Sequence, residues 1–166
     1  MKSYALTGTE TISSIISSYP TPTIANNVLS DGLGYLASGF DNSMDWDLQF
    51  EYKMSGNGNG FLLLPSGITA RDKFLVQIWE RSLLTFKNPN STVTGGERFT
   101  AIESDTWADI RITKQTNTLT VYVNETQVGQ ATISTLSDYN TLYVGLDCMN
   151  RNNGHASIKD IRIKPL

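Results

Sequence analysis

From Trp46 onward, apolar and polar positions alternate with the two-residue period of half-buried strands. "WDLQFEYK" sets Leu48, Phe50 and Tyr52 on one face and Asp47, Gln49, Glu51 and Lys53 on the other. "WADIRITK" and "TLTVYVNE" form the clearest pair, with Ile110 and Ile112 facing Leu119, Val121 and Val123 across a turn at Gln115 to Asn117. "FLVQIWE" repeats the pattern with Phe74, Val76 and Ile78 as its core row, and predicts a hairpin with "LLTF" around Arg81 and Ser82. "FLLLP" is apolar on both faces. "SGNGNG" before it reads as a turn, because Gly and Asn tolerate positive φ. "NPNSTVTGG" reads as a loop and "RFTAI" as a short strand; "QVGQATI", "TLYVGLDC" and "ASIKDIRIK" complete the set.

The first forty-five residues carry less signal. Ile12, Ile15, Ile16 and Tyr19 have helical spacing in a Ser-rich, β-branched context that disfavours a helix. "SSYPTPTIANN" predicts a loop, since its prolines and Asn pair disfavour regular structure. Many short strands separated by Gly/Asn turns, with no long helix, predict an all-β antiparallel two-sheet sandwich or a barrel. The expected core comprises Leu48, Phe50, Val76, Ile78, Ile110, Ile112, Val121, Val123, Val144 and Leu146.

Length and charge narrow the classes. A chain of 166 residues fits one domain, residues 1–166, with a sizeable core. The formal net charge of -3 and pI near 5.1 argue against nucleic acid and anionic membrane as partners, since both need a basic face. Only 17% of the residues are charged, and Thr, Ser and Asn fill the surface, which suits neutral or mildly polar ligands. The single cysteine, Cys148, rules out an internal disulfide framework. It continues the apolar row Leu142, Val144, Leu146 and is expected as a buried thiol. "MKSYALTGTETISS" has no continuous apolar segment, so no secretory signal is expected, and no run is long enough to span a membrane as a helix.

One strand is unusual on its outward side. In "FLVQIWERS" the positions opposite the core row are Leu75, Gln77 and Trp79, followed by Arg81. An indole beside an amide and a guanidinium is a poor composition for a merely solvated face.

The run "WADIRI…LTVYVN…LYVGLD…ASIKDIRIKPL" resembles the laminin G-like and concanavalin A-like lectin/glucanase superfamily, over Trp46 to Leu166. Residues 1–45 match it poorly, and Glu125 stands where the family usually has Gly after Asn124. The resemblance implies a jelly-roll sandwich, and it implies that the strand after "FLLLP" lines a cleft which carries paired carboxylates in the glucanases. The matching positions here are Leu75, Gln77 and Trp79, none of which ionises usefully. Retaining glycoside hydrolysis needs two carboxyl groups roughly 5–5.5 Å apart. The resemblance therefore implies a non-catalytic carbohydrate-binding module with Trp79 as the sugar platform and Gln77 and Arg81 as hydrogen-bonding neighbours.

It further resembles modules inserted in bacteriophage distal tail and baseplate proteins. That implies a cell-wall saccharide partner, membership of a larger tail assembly, and a virion or extracellular location. Two alternatives stay open: a glycoside hydrolase or lyase of the same fold, which two close acids in the cleft would favour, and a structural adhesion domain that binds protein.

Other residues have bland readings beside functional ones. Asn57 and Asn59 in "NGNG", and the "NRNNG" loop at Asn150 to Gly154, are turn residues first and sugar-binding candidates second. Tyr122 and Tyr143 either stack on a sugar or pair across strands. Trp107 is expected in the core, and Trp46 at one end of the sandwich. Asp41, Asp45 and Asp47 lack EF-hand spacing and are expected in a solvated loop, as is Asp160. His155 has no second histidine or cysteine partner for a metal set. Asn90 and Asn124 lie in N-x-T sequons. No cofactor is expected. The resemblance admits a structural calcium, which no motif here supports.

Overall fold

The computed structural model describes residues 2–4, 6–57, 60–89, 93–148 and 153–166. Its N-terminal strands are short: β1 (Lys2–Tyr4), β2 (Ile12–Ser14), β3 (Thr23–Ala25), β4 (Val28–Ser30), β5 (Gly32–Leu36) and β6 (Phe40–Asp41). Then come β7 (Trp46–Ser55), β8 (Gly60–Pro65), β9 (Val76–Trp79), β10 (Leu83–Lys87) and β11 (Val93–Arg98). The last are β12 (Ala108–Gln115), β13 (Thr118–Val123), β14 (Thr126–Thr132), β15 (Thr141–Cys148) and β16 (His155–Pro165). A 3-10 turn spans Leu136–Asp138.

All described pairings are antiparallel and fall into two sheets. Sheet A runs β14-β13-β12-β7-β16-β4-β3, with β1 added to β16. Sheet B runs β11-β10-β9-β8-β15-β5-β2, with β6 added to β15. The sheets face each other across one apolar cluster that contains all ten residues expected in the core. Fully buried Cys148 belongs to it, at the end of the Leu142, Val144, Leu146 row. The all-β sandwich reading holds.

Several local expectations need correction. The N-terminal isoleucines form no helix: Ile12–Ser14 is a strand paired with β5, followed by turn. The Asn pair does not interrupt regular structure but makes it. Asn26 and Asn27, with φ of 53° and 63°, form the two-residue turn of the β3–β4 hairpin. Asn124 and Glu125 do the same between β13 and β14 with φ of 47° and 69°, so Glu125 adopts the left-handed backbone where glycine is usual. The loop expected at residues 88–96 gives way to β11 from Val93, which pairs Gly95 and Gly96 with Phe86 and Thr85; Phe99 to Ile102 is not strand.

Trp46 and Trp107 have different surroundings. Trp46 is buried, edge-on to Phe40 at 5.2 Å, with Nε1 donating to Asn42 Oδ1 at 2.9 Å. Trp107 is only half-buried, between the ammonium groups of Lys159 at 4.3 Å and Lys53 at 4.8 Å, rather than in the core. Its position one residue before β12 shares the outward parity of Asp109. Lys114, by contrast, shares the inward parity of Ile110 and Ile112 and is buried. Its Nζ donates to the Asn42 and Met44 carbonyls at 2.7 and 3.1 Å, and burial pushes its pKa down.

Candidate functional site

The outer face of sheet B carries the first candidate site. Val76 and Ile78 enter the core, which turns Gln77 and Trp79 outward, both half-buried. The alternation fails one residue upstream. Leu75 still pairs, donating to the Leu63 carbonyl at 2.8 Å and accepting from Lys87 N at 3.0 Å, but it sits in a bend. Leu75 and Val76 both enter the main core, and Phe74 turns outward to pack on Leu62 and Leu64. The expected core row Phe74, Val76, Ile78 and the expected cleft row Leu75, Gln77, Trp79 each lose their first member.

Register places the neighbours. Trp79 pairs with Gly60, and Gly60 with Asp147, so a residue without a side chain stands between the indole and a carboxylate. A Cβ at Gly60 would collide with the Ile78 carbonyl, which fixes glycine there. Asp147 is 1% exposed, and its Oδ2 accepts from Arg71 Nε at 2.9 Å and from a second guanidinium nitrogen at 2.6 Å. Arg71 lies in the 66–74 segment that covers Leu62 and Leu64 together with Ile15, Ile68, Tyr35 and Tyr143. Tyr143 and Tyr35 pack edge-on at 5.1 Å. The uncovered remainder is a shallow pocket of about 330 Å³ bounded by Arg71, Asp72, Phe74, Gln77, Trp79 and Leu83, with Asp147 at its base.

Of the residues singled out in the sequence, Gln77 and Trp79 line this pocket together. Arg81 does not. Its guanidinium donates to the Ile102 carbonyl at 2.8 Å, and its own carbonyl accepts from Ile102 N, so it clamps the β9–β10 turn to the segment after β11. Asn57 is exposed on the β7–β8 turn, away from the pocket lining. Asn59, like Asn90 and Asn150, lies outside the described residues. Tyr122 is on the other sheet altogether. Sequence reasoning missed Arg71 and Asp147. An acid at the outward parity of the otherwise uncharged strand "TLYVGLDC" was the available signal for Asp147; nothing local marked Arg71.

The outer face of sheet A is charged and open. A groove of about 610 Å³ runs over β7, β12, β13 and β16. Asp47, expected in solvent, is instead 1% exposed at its floor. It holds Arg111 (3.0 and 2.9 Å), Lys164 (3.8 Å) and the Gln49 amide (3.2 Å). The Asp47 hydrogen bond raises the Arg111 pKa further, against partial burial. Arg111 also sits 5.2 Å from the Tyr122 ring centre. One row further, Glu51 and Asp160 share a hydrogen bond when one of the two carboxyls is protonated, and the Asp160 φ of 53° marks the irregularity between Lys159 and Arg162. That hydrogen bond, then burial, raises the Glu51 pKa, while Lys159 at 3.7 Å opposes the rise.

This acid pair lies on the face opposite Trp79. Asp160 therefore has a carboxyl partner, but no group of three or more His, Cys, Asp or Glu side chains able to hold a metal ion occurs among the described residues. Calcium needs six to eight oxygens, more than this one carboxyl pair supplies. His155 is exposed beside Asp31, Nδ1 to Oδ2 at 3.2 Å.

No family model matches the sequence, and no curated protein matches it either. Solved structures do match in shape. A carbohydrate-binding module, CBM66 from Bacillus subtilis, superposes with a TM-score of 0.62 at 13% identity, over 94% of this chain and 97% of that one. The fold is that of known carbohydrate-binding modules and lectins. The metal-free carbohydrate recognition domain of Emp46p gives a TM-score of 0.66 at 11% identity, covering 87% and 86% of the two chains. The alginate lyase AlyC3 gives 0.57 at 8% identity, covering 82% and 74%. Binding modules and a lyase share this sandwich, so function is argued from the site.

Proposed function

We propose that this protein binds carbohydrate without transforming it, and that the ligand seats against Trp79 on the outer face of sheet B. The observation that carries the reading is the pocket in which a half-buried indole and the Gln77 amide stand beside an Arg71 guanidinium locked on buried Asp147. An indole plate stacks on the apolar face of a pyranose, an amide hydrogen-bonds its hydroxyls, and a guanidinium held by a carboxylate donates to hydroxyl oxygens. The pocket's cation is matched by its own carboxylate, and Asp72 lies 3.8 Å from Lys87, so the site suits a neutral sugar. Asp147, committed to Arg71, is poorly placed for acid–base work. The finer reading is a cell-wall saccharide bound by residues 1–166 as one module of a phage tail device, in the virion. It rests on the resemblance carried by residues 46–166.

The test pairs a glycan array and whole-cell binding with the melting temperature, for the native protein and Trp79→Ala. Binding should weaken by roughly 1–3 kcal/mol, taking base stacking on aromatics as the analogue. The melting temperature should move little. Unchanged binding with a collapsed melting temperature makes Trp79 a packing residue and removes the site. Release of reducing ends on long incubation, abolished by replacing one acid, makes the protein an enzyme.

A further inference from the structure

We propose that the outer face of sheet A is a second saccharide site, separate from the Trp79 pocket, that takes a sugar bearing an oxyanion at Arg162. The register aligns four outward side chains on neighbouring strands: Tyr122 opposite Arg111, Arg111 opposite Gln49, and Gln49 opposite Arg162. At about 4.8 Å per strand the row spans roughly 14 Å, the reach of a short oligosaccharide. It lies in the 610 Å³ groove, nearly twice the volume of the pocket on the other face.

Charge gives the ligand class. Arg111, Lys164 and Arg162 surround a single buried carboxylate, Asp47, at this end of the groove. Asp47 takes Arg111 and Lys164, and Arg162 is exposed with no ion pair among the described residues. Three cations against one carboxylate leave an excess of two positive charges beside the Gln49 amide. Asp47 also holds the Arg111 fork in place, so part of its ordering is complete before any ligand arrives. The acids Glu51, Asp109 and Glu125 line the same groove. Glu51 and Asp109 are register partners two residue pairs along from Gln49 and Arg111, and Glu125 lies on the β13–β14 turn, so the oxyanion is directed to Arg162 rather than to the middle of the sheet. Guanidinium forks bind planar carboxylates and phosphates in two-point fashion, and a tyrosine ring completes a stacking wall.

The inference does not depend on the Trp79 reading, and its experiment separates the two. The protein is titrated at low salt with trigalacturonate, with a glycerol phosphate oligomer, and with neutral cellotriose. The two charged probes distinguish a uronate from a phosphate source. One of them should bind, weaken as salt is raised, and lose about tenfold in affinity in Arg162→Gln, a rim substitution on an exposed side chain. Trp79→Ala should leave that binding unchanged. Binding of neither charged probe overturns the proposal. So does binding that survives Arg162→Gln, or that Trp79→Ala abolishes.

Discussion

The two outer faces start from the same strand alternation and end differently. On sheet A the outward row of β7, Asp47, Gln49, Glu51 and Lys53, meets cations and solvent, as its polarity suggests. On sheet B the outward residues of β8, Leu62 and Leu64, are fully buried under residues 66–74 and the segment after β2. "FLLLP" is apolar on both sides because both sides are covered. An antiparallel sheet shows clean alternation only where one face is left to water. The window left in that cover is the Trp79 pocket, whereas the groove on sheet A is open across four strands. A partly covered apolar face builds a small neutral pocket. An uncovered polar face builds a broad charged one.

The largest expected effect tests the cover itself. Leu64→Ala, outward on sheet B, should cost about 2–5 kcal/mol as a core truncation does. Tyr122→Ala, outward on sheet A, should cost about 1 kcal/mol or less, since its ring is half-buried and held by Arg111 alone among the described contacts. Urea titration of both variants measures the difference; equal losses would mean that the faces are covered alike.

A smaller contrast lies in the two buried aspartates. Arg71 donates twice to Asp147, which is 1% exposed, so Arg71→Met removes a two-point ion pair from a buried carboxylate and should cost about 3 kcal/mol. Asp47 keeps Lys164 and Gln49 after Arg111→Met, and the loss should be nearer 1 kcal/mol. Chemical denaturation at neutral pH compares them, and a reversed order would mean that Lys164 and Gln49 do not make up for the lost guanidinium at Asp47.

The smallest effect is on pH. The native state raises the Glu51 pKa above its ordinary 4.5, so it binds that proton more tightly than the unfolded chain does. This contribution makes stability rise as pH falls through the raised value and levels off below the unfolded one. Glu51→Gln should flatten that segment of the stability profile and leave the neutral-pH protein equal or slightly more stable. Loss of the Lys159 pair offsets part of the gain. Melting temperatures across mildly acid pH read the slope; an unchanged slope would mean that Asp160 does not share its hydrogen bond with Glu51 in solution.

The ten core residues, the β9–β10 and β12–β13 hairpins, the buried Cys148 and the outward pair Gln77 and Trp79 were all legible in the sequence. Each follows from a two-residue period that any extended backbone imposes on its side chains. The same period could not say that Leu75 would fall out of step, because a bend at the start of a strand leaves no periodic mark in so short a run. Nor could it say what lies on the outward side. Whether Leu64 meets water, whether Asp47 is solvated, whether Trp107 joins the core and whether Arg81 reaches Trp79 depend on segments distant in the chain. Arg71 reaches Asp147 across 76 residues and Arg111 reaches Asp47 across 64, and only the packing of sheets and loops brings them together. Local spacing determined which side chains share a face; tertiary contact decided what each face became, because burial and charge compensation belong to pairs of segments rather than to either one alone.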